Sequence, residues 1–449
     1  MKKPCLVLLF LLFLFIAQAN DRKEIYSPDR KIRLTVETTT GLSYSITYLD
    51  KPLLLPSRID LRLANGISLS GNLSFKNVSV RSNNTVIISA VPEKRVRIPD
   101  QYTELTIRFR QPFSVIFRVY DDGVAYRFAS HFKDSIVIEN ETATFSFPGN
   151  HPVYFPEVVK RENADIFHTS FEEPYQLKPL DSLTSSQLFF TPILIAPASG
   201  PKIALTESDI EDYPGMFLEG QGSNALLGKF APFPLEETIA PGEFPQAIVS
   251  KRAAYIARTK GTRVFPWRVL MIAANDRDLP VNDLVYRLAS PSRLTDVSWL
   301  HPGKGTDEWI VGINLFNIPF KAGVNTATYK FYIDFAKRFG FDRIMMDAGW
   351  SDYKDLFKIN PEINMDEISS YAKQNNIHLS MWTLAMTLDR QLEPALEQFN
   401  KWGVDFIMTD FMDRDDQQMV NFYTKIAEAC AKHRLMIMFH GAYKPAGFN

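Results

Sequence analysis

The stretch IMTDFMDRDDQQM, residues 407–419, places four aspartates, Asp410, Asp413, Asp415 and Asp416, within seven positions behind an apolar run. Carboxylates this crowded can hold a cation, open a helix, or act as nucleophile or acid–base groups in a cleft. The cation loop can be tested on spacing alone. An EF-hand asks for oxygens at positions 1, 3 and 5, glycine at 6 and glutamate at 12. Counted from Asp410, positions 3, 5, 6 and 12 are Met412, Arg414, Asp415 and Asn421; counted from Asp413, positions 6 and 12 are Gln418 and Thr424. Neither frame supplies the glycine or the glutamate, so that chemistry is excluded. Asp415 and Asp416 run into QQMVNFYTKIAEACAK, where carboxylates complement the free N–H groups and dipole of a helix start. Asp413 is read as a cap or as support for a site, and Asp410 as the end of a strand.

Other chemistry-bearing residues also follow apolar runs. RIMMDAGW carries Asp347 and Trp350, IHLSMWTL carries Trp382, and LMIMFHG ends on His440 ahead of a loop with Lys444. A carboxylate beside an indole suits a sugar: the acid accepts hydroxyl protons while the ring covers C–H faces. The plainer reading is a capping Asp347 and a core Trp350. Trp382 reads equally as core packing or as a substrate wall. His440 is a structural residue, or a ligand or hydrogen-bond donor.

The elements that must position these residues alternate. Strands are read at EWIVGIN (308–314), RIMMDAGW (343–350), IHLSMWTL (377–384), VDFIMTDF (404–411) and LMIMFHG (435–441). Between them lie amphipathic segments with apolar residues at i, i+3, i+4 and i+7. Regular βα alternation demands a parallel sheet with right-handed crossovers. An open doubly wound sheet and a (β/α)8 barrel both fit. The barrel is preferred, because no G-x-G-x-x-G follows the first strand and Asp347, Trp350, Trp382, Asp410 and His440 all fall at strand C-termini. Only about five units are present, so a TIM barrel occupying 306–449 is expected to be incomplete.

Residues 20–280 have a different texture. Short alternating β-branched and aromatic runs bounded by Gly, Pro, Asn and Asp predict an antiparallel β-super-sandwich. Pro, Gly and polar residues over 281–305 read as a linker. MKKPCLVLLFLLFLFIAQA, residues 1–19, has the make-up of a cleaved signal peptide, so the protein is expected to be exported to the periplasm with no membrane insertion after cleavage. Cys430 then stands alone as a packed core thiol. A formal net charge of −1 gives no electrostatic case for nucleic acid. The 34 Phe, 17 Tyr and 6 Trp suit amphipathic ligands such as sugars, and suit large cores equally.

DDGVAYRF, TESDIEDYPGM, MDAGW, TDFMDRDDQ and FHGAYKPAG, in this order, resemble the family 97 glycoside hydrolases from about residue 25 onward. The resemblance implies an N-terminal β-super-sandwich, a catalytic (β/α)8 barrel and an exported α-glycosidase acting on oligosaccharides. One branch inverts and carries a base Glu soon after the fifth-strand His; here Gly441 and Ala442 follow His440. The other branch retains configuration and has an Asp nucleophile at the fourth strand end, which Asp410 matches. The resemblance therefore implies a retaining α-galactosidase with Asp410 as nucleophile, Asp415 as the runner-up, and an acid/base Glu on a later strand. Asp347, Trp350, Trp382, His440 and Lys444 would line the sugar site. It also implies a Ca2+ ion near the site, with Glu172 of TSFEEPYQLKPL as one ligand. An inverting α-glucosidase and a non-catalytic carbohydrate-binding protein are the alternatives.

Overall fold

The computed structural model describes residues 22–69, 73, 75–89, 91 and 94–447. The leader-like segment 1–19 lies outside the described residues. Among these residues no helix is long and apolar enough to cross a membrane.

The N-terminal part consists of two antiparallel sheets, of nine and ten strands among the described residues. Alternation in the sequence produces them directly. Along Ile136–Ser146 inward residues alternate in two phases: Ile136 and Ile138 before the exposed Asn140, then Glu141, Ala143 and Phe145 after it, because a register shift against the neighbouring strand falls between them. Leu34, Ile46 and Phe145 of one sheet share a core with Ile107, Phe117, Tyr126 and Leu205 of the other. This is face-to-face packing of a sandwich. A separate two-stranded hairpin, Pro234–Ile239 with Ala247–Arg252, extends from it and is mostly exposed along its first strand.

The segment 281–305 is not a plain linker. It holds a short helix, Leu284–Leu288, because Leu284 and Leu288 are buried against Trp267 and Val269 of the sandwich.

The C-terminal part is a five-stranded parallel sheet whose strands adjoin in chain order: Gly305–Thr306, Arg343–Met346, His378–Leu384, Val404–Asp410 and Met436–Phe439. Four of the expected strands are therefore present within a few residues. The first is displaced: EWIVGIN forms a turn, and the strand is Gly305–Thr306. Trp309, Ile310 and Val311 are 64%, 73% and 50% exposed, so among the described residues nothing covers this apolar run, while Glu308 turns inward, at 1%. Helices Thr326–Phe339, Met365–Asn375, Leu392–Trp402 and Gln417–Lys432 separate the strands. Asn325, Asn364 and Asp416 cap three of them, each accepting a backbone N–H two or three residues into the helix. Ile333, Ile368, Leu396 and Ile426 of these helices pack on Ile344, Met381 and Ile407 of the sheet, with Cys430 buried among them.

Candidate active site

Asp410 is the last residue of the fourth parallel strand and is 8% exposed. Its carboxylate is held from three directions. Oδ1 accepts the N–H of Phe411 at 2.6 Å and faces Nδ1 of His440 at 3.2 Å. Oδ2 accepts the indole N–H of Trp382 at 3.1 Å. Parallel register explains the convergence: Leu384 lies opposite Asp410 and Thr409 opposite Phe439, so neighbouring strand ends deliver Trp382 and His440 to the same edge. The hydrogen bond to Asp410 is the main reason His440 is raised to about 9, which makes it an imidazolium at neutral pH.

Asp347 sits at the end of the second strand, buried, with Oδ1 accepting from the N–H of Ala348 at 2.6 Å. Burial, reinforced by Asp307 and Asp410, raises it to about 6. Glu308 was not anticipated from the sequence. Its Oε1 accepts the N–H of Asp347 at 2.9 Å and the hydroxyl of Tyr329 at 3.1 Å, while Oε2 is buried with no hydrogen-bond partner. Burial pushes Glu308 up to about 7. The only sequence signal is the acidic pair Asp307–Glu308 at the head of an apolar run. The site edge thus brings the hydrogen-bonded carboxylate of Asp410 beside Asp347, which burial raises and which Glu308 supports through its backbone N–H. Carboxyl groups held in different environments at one edge are what acid–base chemistry on sugars requires.

The rest of the acidic cluster fastens this edge to the sandwich. Asp413 Oδ2 receives Arg161 at 2.7 Å, and its carbonyl accepts the N–H of Thr169. His168 lies 3.8 Å from the same carboxylate. This is not an ion pair, since burial lowers His168 to about 4 and leaves it neutral. Arg414 is 1% exposed and bridges Asp416 at 2.8 Å to Glu237 at 2.7 Å. Gln417 donates to Asp212 and accepts from the N–H of Arg258. Asp416 is the helix N-cap, as its position in the sequence suggested. Asp415 is not in the first helical turn. It is buried with Oδ1 unpartnered, and burial raises it to about 7. A Cβ on Gly215 would lie 2.1 Å from its Oδ2, so glycine is required for this approach. Phe411 and Asp413 take left-handed φ of 66° and 52°, held by these contacts.

Two expectations are corrected, and Glu172 is placed. Trp350 is 1% exposed beneath the sheet, donating to the carbonyl of Trp382 and packing on Phe399 and Trp402, so it is core and not a sugar wall. Lys444 pairs with Glu207, a buried glutamate of the sandwich that also pairs with Arg268, so its charge is taken up there and not by the strand edge. Glu172 is exposed and lies 3.9 Å from His440 Nδ1. Among the described residues no group of three or more His, Cys, Asp or Glu is placed to hold a metal ion.

Trp382 is packed as well as a donor, with 5% of its surface exposed. Its ring meets Phe244, Tyr353 and Phe411 at centroid distances of 5.8, 6.2 and 6.4 Å. Phe244 comes from the tip of the sandwich hairpin, a contact that no local pattern in the sequence could announce.

The chain matches two family models, "Glycosyl-hydrolase 97 N-terminal" over residues 25–291 and "Glycoside hydrolase 97" over 309–449. It is 35% identical, across its whole length and 69% of that relative's, to a retaining alpha-galactosidase of Bacteroides thetaiotaomicron. A probable retaining alpha-galactosidase of Streptomyces bingchenggensis is 28% identical over 93% of this chain and 61% of its own length. Among solved structures, a glycoside hydrolase family 97 enzyme from Pseudoalteromonas sp. superposes with a TM-score of 0.79 at 22% identity, covering 95% of this chain and 67% of that one. A beta-arabinopyranosidase gives 0.78 at 21% identity, covering 94% and 67%. The overall fold is thus shared with these solved structures, and the chain belongs to glycoside hydrolase family 97.

Proposed function

We propose that this chain carries the nucleophile of a retaining α-galactosidase, acting on terminal α-galactosides of oligosaccharides, and that its parallel sheet is part of a (β/α)8 barrel. The observation that carries the reading is Asp410: a carboxylate at a strand end, oriented by Trp382, His440 and its own backbone. In the first half-reaction a carboxylate oxygen of Asp410 bonds to the anomeric carbon as the glycosidic C–O bond breaks. A second carboxylic acid protonates the departing oxygen. In the second half-reaction that group takes a proton from water, whose oxygen displaces Asp410 and restores the original configuration. The resemblance assigns the second group to a Glu on a later strand. Asp347 supports the reading as a hydroxyl acceptor on the same edge. Export to the periplasm belongs to the proposal through the leader-like residues 1–19. The test is to incubate the full-length protein with aryl α-galactoside and aryl α-glucoside and follow the first-released anomer by NMR. α-Galactose is expected; β-galactose, or turnover of neither substrate, overturns the reading.

A further inference from the structure

The hairpin Pro234–Ile239/Ala247–Arg252 belongs to the N-terminal part, yet its tip reaches the catalytic edge. Phe244 leaves its own domain and packs with Met345, Trp382, Leu384 and Met408. Its ring is stacked on Phe411, the residue after Asp410, at 5.1 Å and 13°, and lies 4.8 Å from Tyr353. It meets Trp382 edge-on at 5.8 Å, and the indole nitrogen of Trp382 is already committed to Asp410. Phe244 is therefore one ring contact removed from the carboxylate proposed to attack the sugar. It stays half-buried, so part of the ring is left without a protein neighbour.

The tip is fixed at several points. The N–H of Ala240 bonds the carbonyl of Gln246, and the side chain of Gln246 is 2.8 Å from His168. Tyr353 donates to Glu243 at 3.3 Å. Pro241 and Pro245 limit the remaining backbone freedom. A tip held this firmly can act as preformed surface.

We propose that Phe244 is a specificity-determining residue, whose ring forms an apolar wall for the C–H face of a galactosyl ring seated over Asp410. Phenylalanine offers no hydrogen bond, so it can recognise a sugar only through such a face. Galactose presents one, because its axial 4-hydroxyl leaves the C–H groups of C3, C4 and C5 clustered on the opposite side. The inference rests on the galactosidase reading above.

The experiment uses the full-length protein with Phe244→Leu, which keeps apolar bulk but loses the flat face, and Phe244→Tyr, which keeps the face. KM and kcat are measured on two α-galactosides with different leaving groups, together with competitive inhibition by free galactose. For Phe244→Leu, KM and the galactose inhibition constant should rise together, about 3- to 10-fold, with both leaving groups and little change in kcat. Phe244→Tyr should stay within about twofold of wild type. An unchanged galactose inhibition constant in Phe244→Leu overturns the proposal, as does a loss confined to one leaving group. Failure of the underlying reading looks different: the wild type then neither cleaves the galactosides nor is inhibited by galactose.

Discussion

The indole N–H of Trp382 donates to Oδ2 of Asp410 at 3.1 Å, from a ring that is itself locked among Phe244, Tyr353 and Phe411. A hydrogen bond to a charged carboxylate contributes about 1.5–3 kcal/mol when it is lost without replacement. Trp382→Phe keeps the aromatic packing and removes only the donor. It should lower kcat/KM about 10- to 100-fold on an aryl α-galactoside, with the melting temperature little changed. Kinetics within about twofold of wild type would show that Asp410 is oriented without this bond.

His440 predicts an alkaline limit. A histidine raised to about 9 by Asp410 is cationic below that value and neutral above it. Its folded pKa exceeds the unfolded value, so its contribution is fully present below about 6.5 and is lost as pH rises through about 9. kcat/KM should fall along a limb near pH 9. His440→Gln, which cannot gain the charge, should be slower throughout and lack that limb. A limb that persists unchanged in the variant assigns it to another group.

Asp415 predicts the opposite pH trend. Burial raises it to about 7, so over the interval from about 4 to about 7 the unfolded chain is ionised while the folded one keeps its proton. The unfolded state then binds fewer protons, and stability falls as pH rises through that interval. Asp415→Asn removes the penalty, worth on the order of 2–4 kcal/mol at pH 8 and nothing below pH 4. Thermal melts of variant and wild type should coincide at low pH and separate up to about pH 7. Turnover should survive, since the side chain abuts Gly215 rather than the site.

How far the sequence could disclose this arrangement depended on whether each signal was local. Strand ends at Asp347, Trp382, Asp410 and His440 follow from apolar runs and caps, and these are correctly placed. Asp416 was legible as a helix start for the same reason. Trp309, Ile310 and Val311 misled because burial depends on a second layer that composition does not reveal. Lys444 and Trp350 misled because a strand-end position does not fix which way a side chain turns; Glu207 and the Phe399–Trp402 pair decided that. Glu308, Arg161 and Phe244 matter only through contacts 39, 252 and 138 residues away in sequence, with Asp347, Asp413 and Trp382.

Lys444 is expected to contribute to stability and not to substrate binding. Its ammonium neutralises Glu207 in a network that already contains Glu141 and Arg268. Lys444→Met should leave KM within about twofold and cost roughly 2 kcal/mol of stability, less than a fully broken buried pair because Arg268 remains. A large rise in KM at unchanged stability would return Lys444 to the sugar site.

The sharpest test falls on Asp410 itself. Asp410→Gly removes the carboxylate and vacates the space beneath the anomeric carbon, while Trp382 and His440 still line it. Turnover of an aryl α-galactoside should drop by at least about 10⁴-fold, the scale on which nucleophile loss is felt. Azide can enter the vacated space, bond to the anomeric carbon from the face opposite the leaving group, and expel it. The product should be β-galactosyl azide, formed at a rate that rises with azide concentration. A good leaving group needs little proton donation, so this rescue does not depend on the acid/base group. Undiminished activity in the variant would move the nucleophile elsewhere, and an α-configured azide would mean that attack does not come from the side of Asp410.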